Sequence, residues 1–268
     1  MRVVRTRLPA GEVMKTKAVR EERKTAMEGD RRMDSDRRAA ILTGVFYIVG
    51  SVAGLISLGV FTGPILGAPD YLAGVSANEA KVILGALLEL VMGVALVGMA
   101  LAVYPVLKKF SARMAIGYFG ARVVEFAIGI LGVVSLLTLV TLSREFVGAG
   151  APNSSYFQAT GKLLLAVRDW GGHAVLDVAV FPLGVLMLNY LFYRARLIPR
   201  WLSGFGLIGA TLYWAAGWLV MFGLIVPLES IHVGLQAPLG VQEMVLAVWL
   251  IARGFNPRAA KKEVQDVR

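Results

Sequence analysis

The chain contains no cysteine and only two histidines, His173 and His232, in 268 residues. The missing thiols exclude disulfides, thiolate nucleophiles and Cys-ligated metal centres. The two histidines lie on separate segments with neither H-x-x-x-H nor H-E-x-x-H spacing. Zinc hydrolysis and paired-histidine haem ligation therefore have weak support, and neither a metal nor any other cofactor is expected. There is no G-x-S-x-G for a serine nucleophile. No internal repeat is visible, which weakens an inverted-repeat transporter. Charge is scarce too: Asp, Glu, Lys and Arg make up 17% of the chain, against roughly a quarter in soluble domains.

What the chain has instead is apolar length. Hydrophobic residues reach 57%, above the roughly 45–50% of an ordinary soluble domain, and the mean hydropathy is +0.66. The composition is that of one membrane domain with tails. A net charge of +10 could suggest nucleic acid. However, about half of it lies in residues 1–38 and the rest mainly at the ends of apolar runs, where membrane topology needs it. No nucleic-acid partner is expected.

Six apolar runs are long enough to cross roughly 30 Å of hydrocarbon. They cover about 39–61, 80–107, 114–142, 173–193, 201–226 and 238–254. Residues 1–38 form a basic arm expected to be disordered and to lie on anionic lipid. No signal-peptide core precedes the first run, and Met14, Met27 and Met33 leave the start of translation open. Gly50 and Gly54, then Gly59 and Gly63, form small-xxx-small pairs suited to helix contact. The stretch 62–79 reads as a loop rich in turn formers. Asn153-Ser154-Ser155 is formally a glycosylation sequon. Residues 158–170, QATGKLLLAVRDW, are amphipathic and too short to span, so they read as an interfacial helix anchored by Trp170. Residues 258–268 form a basic tail.

Lys and Arg cluster in the arm, at 108–113, at 194–200 and in the tail, and are nearly absent near 62–80 and 227–237. Both termini are expected in the cytoplasm and the chain in the plasma membrane. The dissenting loop is 143–172, with Arg144, Lys162 and Arg168.

Four stretches carry a resemblance: LGALLELV at 84–91, ARVVEFA at 121–127, RLIPRWLSGFGLIG at 196–209 and VQEMVLAVWLIARGFNP at 241–257. Their order and spacing resemble the prokaryotic membrane proteins grouped as domain of unknown function 4386. The resemblance implies a multi-pass domain over about 39–257 with no assigned activity. Its recurrent polar positions correspond here to Glu89, Arg122, Glu125, Asp169-Trp170 and Glu243.

Those residues are conspicuous on physical grounds as well. At 1.5 Å per residue Glu89 lies roughly 14 Å below the outer surface, and Glu125, counted from the cytoplasmic side, roughly 16 Å deep. Arg122 shares a helical face with Glu125 at i, i+3 and has a stem long enough to reach either acid. Glu243 and Asp177 lie shallower, roughly 6–8 Å down, and His173 shares a face with Asp177 at i, i+4. Ionisable groups inside a span usually face a bundle interior and a partner. One reading is a cavity open to the outside, lined by Glu89, Glu243 and Asp177 with Arg122 and Glu125 at its floor. Surplus carboxylates there could carry a proton or hold a cation. The other is structural: Arg122 bridges Glu89 and Glu125, while the shallow acids, with Asp169 and His173, face water at the interface.

Gly204-Phe205-Gly206-Leu207-Ile208-Gly209 matches G-x-G-x-x-G, but it opens a membrane span rather than following a buried strand, so close helix packing accounts for it. Trp214, Trp218 and Trp249 read as packing or interface anchors.

The fold expected is all-α: a six-span membrane bundle with a short interfacial helix before the fourth span. Two functions stay open. One is a proton- or cation-coupled transporter of a small polar solute, with Glu89, Arg122, Glu125, Asp177 and Glu243 as binding candidates. The other is a non-catalytic sensor or assembly module in which the same cluster is structural. An enzyme is the less favoured class, since no nucleophile or metal cluster is found. Oligomeric state is left open.

Overall fold

The computed structural model describes residues 34–149 and 154–256. Residues 1–33 of the basic arm, the Asn153 sequon and the tail lie outside the described residues. Every long element is helical, with no strand among the described residues. Six helices are long and apolar enough to cross a membrane: Asp34–Leu66, Glu79–Leu107, Ala112–Ala149, Ser155–Ala195, Arg200–Met221 and Ser230–Ala252. We number them as the first to sixth spans. A helix satisfies its own backbone, which is what hydrocarbon demands of a single segment.

The boundaries depart from the sequence reading where polar residues turn inward. The first span continues past Phe61 through a π-helical stretch, Ser57–Thr62, and ends at Leu66. The stretch after it is not all loop: Tyr71–Ala77 is a short helix that buries Tyr71, Leu72 and Val75. The sixth span starts at Ser230 rather than Pro238, which is carried inside the helix. His232 and Gln236, whose polarity argues for a loop, lie on this helix with His232 buried and Gln236 half-buried. The helix Ser154–Trp170, expected as a separate piece, forms the first part of the fourth span and packs along the third. It continues through a π-helical turn, Gly171–Val175, into the rest of that span, a run of 41 residues.

That run bends at Val180, whose φ of −128° leaves the helical region. The cause is Pro182, which has no N–H to give to the carbonyl of Val178 four residues back. The orphaned carbonyl is taken by the fifth span: Trp214 Nε1 donates to Val178 O at 2.9 Å. A tryptophan read as an anchor thus repairs a backbone defect.

Apolar side chains gather at the two ends of the bundle. At the end carrying both termini of the described domain, Ala40, Met99, Val103, Leu188, Phe192 and Leu250 belong to one buried cluster. At the other end the short helix, the second and third spans and Phe157 form a second, with Leu72, Val82, Leu136 and Leu139. The terminal end is also laced by polar contacts. Arg37 donates to the carbonyls of Leu250 and Ile251 at 3.0 and 2.7 Å, capping the sixth span. Lys109 pairs with Asp36 at 2.6 Å. The glycines at 206 and 209 do pack helices: a Cβ at Gly206 would meet Asn189 and Gln242, and one at Gly209 would meet the Leu239 backbone. Gly50 and Gly54 face Leu96 and Met92 of the second span, whereas nothing lies near Gly59.

Replacing Trp214 by Phe removes the donor and leaves the Val178 carbonyl unpaired in apolar surroundings, which costs about 1–3 kcal/mol. The expected result is a lower melting temperature in detergent with helical content unchanged. Melting identical to wild type would show that the bend at Pro182 needs no external donor.

Candidate functional site

Between the two apolar ends lies a polar layer built by residues from every span. Its centre is Arg122 on the third span, only 2% exposed. The i, i+3 spacing does what it implies: Arg122 Nη1 donates to Glu125 Oε2 at 2.7 Å. Nε donates to the Tyr118 hydroxyl at 3.4 Å. The guanidinium carbon stands 5.1 Å from the Phe181 ring centre and 5.5 Å from that of Tyr118, a cation–π geometry. Nη2 is buried with no hydrogen-bond partner among the described residues.

Arg122 does not bridge Glu89 and Glu125. Glu89, on the second span, is held by Arg168 from the helix before the π-helical turn. Nη1 donates to Oε2 at 2.8 Å, Nη2 donates to Oε1, and Nη1 also reaches the Gly132 carbonyl at 3.3 Å. This is the two-pronged fit that guanidinium makes with carboxylate. Ser57, on the π-helical stretch of the first span, brings its hydroxyl within 3.2 Å of Glu89. Arg168 therefore neutralises an acid that the sequence leaves in surplus. Its only sequence signal is a cation on an otherwise apolar helix face, and its partner is 79 residues away.

Glu243, on the sixth span, accepts the Tyr47 hydroxyl of the first span at 2.6 Å. It lies in the electrostatic field of both Arg122 and Glu125. Asp177 does not face water: it is 1% exposed. Its Oδ1 accepts the Tyr213 hydroxyl at 3.1 Å and its Oδ2 accepts the Gln236 amide at 3.0 Å. Gly217 permits this approach, since a Cβ there would press on the Asp177 backbone. His232 Nε2 stands 3.8 Å from Asp177 Oδ2, and the rings of His173 and His232 meet edge to face with centroids 5.6 Å apart. The two histidines are distant in sequence and neighbours in the fold. Asp169 and Trp170 are exposed, Trp170 at 54%, and Asp169 lies in the field of His173.

A cavity of about 70 Å³ is lined by Glu89, Met92, Arg122, Glu125, Phe126 and Leu176. It is large enough to hold water. Glu243 and Asp177 do not line it, so this small cavity gathers Glu89, Arg122 and Glu125 without the two other acids. A larger depression, about 550 Å³, lies among Arg196, Arg200, Trp249 and Arg253 at the terminal end.

The sequence profile described as domain of unknown function DUF4386 matches residues 42–254. The chain belongs to that family. No curated protein and no solved structure matches it. In this DUF4386 member the match covers all the residues of the polar layer and leaves out the arm and the tail.

The Glu89–Arg168 pair ties the second span to the first part of the fourth. Removing one partner strands the other charge in a half-buried site, at about 3 kcal/mol. Glu89→Gln and Arg168→Gln should each lower thermal stability, while the double variant recovers part of the loss. A double variant equal to the sum of the singles would mean the two residues act independently.

Proposed function

We propose that this multi-pass membrane protein is a proton- or cation-coupled transporter of a small polar solute, with Arg122, Glu125 and their cavity as the coupling centre. The observation that carries the reading is the partnerless Nη2 of buried Arg122, beside a water-sized cavity that Glu89 and Glu125 also line. A buried guanidinium left short of an acceptor, next to carboxylates, is the arrangement in which gaining or losing one proton or cation reorganises partners. Glu243 and Asp177 add to it, because their hydrogen-bond partners are neutral hydroxyl and amide groups. The cavity admits water or an ion, so a solute needs a second, more open conformation.

The reading carries an orientation. Arg37, Lys108, Lys109, Arg194, Arg196, Arg200 and Arg253 gather at the terminal end, which supports an orientation with both termini in the cytoplasm of a plasma membrane and anionic lipid against the basic end.

A second reading, a sensor or assembly module, is favoured by one observation: Glu89 is fully matched by Arg168 and joins three helical segments through Ser57 and Gly132.

A thermal-shift screen of the purified chain against pooled metabolites and cations, run alongside Glu125→Gln, separates the two. A ligand at 100 times its Kd adds about 2.7 kcal/mol of stability. Transport predicts a shift in wild type that Glu125→Gln loses while staying folded, and solute uptake in proteoliposomes that the variant abolishes. No shift with any pool, together with early melting of Glu125→Gln, would overturn transport and leave the cluster as helix glue.

A further inference from the structure

We infer that His173, Asp177 and His232 form a binding site for a divalent transition-metal ion, zinc being the first choice. This goes beyond the coupling proposal and does not depend on it. One ligand atom from each of the three residues lies within 4.8 Å of the other two. Two imidazoles and one carboxylate are a ligand set that holds zinc or iron with a coordination position left open. With zinc–ligand bonds near 2.1 Å, tetrahedral donors stand roughly 3.4 Å apart. His232 Nε2 and Asp177 Oδ2 are already at 3.8 Å. His173 closes the remaining gap by side-chain rotation, from a π-helical turn of the kind that often marks functional positions.

Charge supplies the second argument. His232 Nδ1 accepts the Leu228 backbone N–H at 3.1 Å. The hydrogen-bond partners of Asp177, Tyr213 and Gln236, are neutral. A carboxylate 1% exposed within a membrane span is thus left without a cation among them. Buried charges are paired or coordinate metals.

The surroundings have the form of an outer shell. Tyr213 fixes one carboxylate oxygen of Asp177, and the Gln236 amide lies 3.0 Å from the other and 3.1 Å from His232 Nε2. Such contacts aim first-shell ligands.

The chain has no cysteine and no other histidine, which makes the test clean once any affinity tag is removed. The metal-free full-length protein in detergent is titrated with Co2+ and read by its visible absorption, then challenged with Zn2+. Expected is one Co2+ per chain, a band between roughly 500 and 650 nm typical of low-coordinate nitrogen- and oxygen-ligated cobalt, and its loss on adding Zn2+. His173→Asn, a half-buried change, should weaken binding at least tenfold while leaving the metal-free melting temperature unchanged; Asp177→Asn should weaken it as much. A wild type with no cobalt band overturns the site. So does a band that His173→Asn and Asp177→Asn leave intact, because the metal is then held elsewhere.

Discussion

A charge taken into hydrocarbon has to meet its partner there, because no water is at hand to replace a missing one. The architecture of this protein follows from that constraint. Arg122 finds Glu125 on its own helix, Glu89 finds Arg168 on a distant one, Glu243 takes a tyrosine hydroxyl, and Asp177 takes a tyrosine and a glutamine. These contacts between helices tie five of the spans, and the hydrogen bond from Arg168 to the Gly132 carbonyl adds the third; apolar clusters lie above and below the layer.

Departures from α-helical geometry occur where the layer needs them. The π-helical stretch Ser57–Thr62 presents Ser57 to Glu89, and the turn Gly171–Val175 presents His173 to His232. The bend at Val180 lies three residues beyond Asp177 and is stabilised from the fifth span by Trp214. A wider backbone turn re-aims one side chain without breaking the helix, which suits a site that must be polar inside and apolar outside.

The six helices were legible because a run of some twenty apolar residues is a local signal that needs no neighbour to interpret it. The Arg122–Glu125 pair was legible for the same reason: three residues apart on a helix means contact. The Glu89–Arg168 pair was not, since 79 residues separate its members and both of their segments read plausibly without it. The sixth span was placed too late because His232 and Gln236 look like loop residues until the fold gives them Asp177 as a neighbour. The same gap hid the meeting of the two histidines. Hydropathy records how polar a residue is, whereas the site depends on which polar residues from separate helices converge.

The difference between the two arginine pairs has a consequence for biogenesis. The third span brings Arg122 and Glu125 into the bilayer together, one helical turn apart, so it inserts with its charge already compensated. The second span cannot do so. Glu89 leaves the ribosome 79 residues ahead of Arg168, which at 5–20 residues per second is roughly 4–16 s. Until Arg168 arrives, Glu89 lacks the guanidinium that matches it, and its pairing waits on synthesis of the first part of the fourth span.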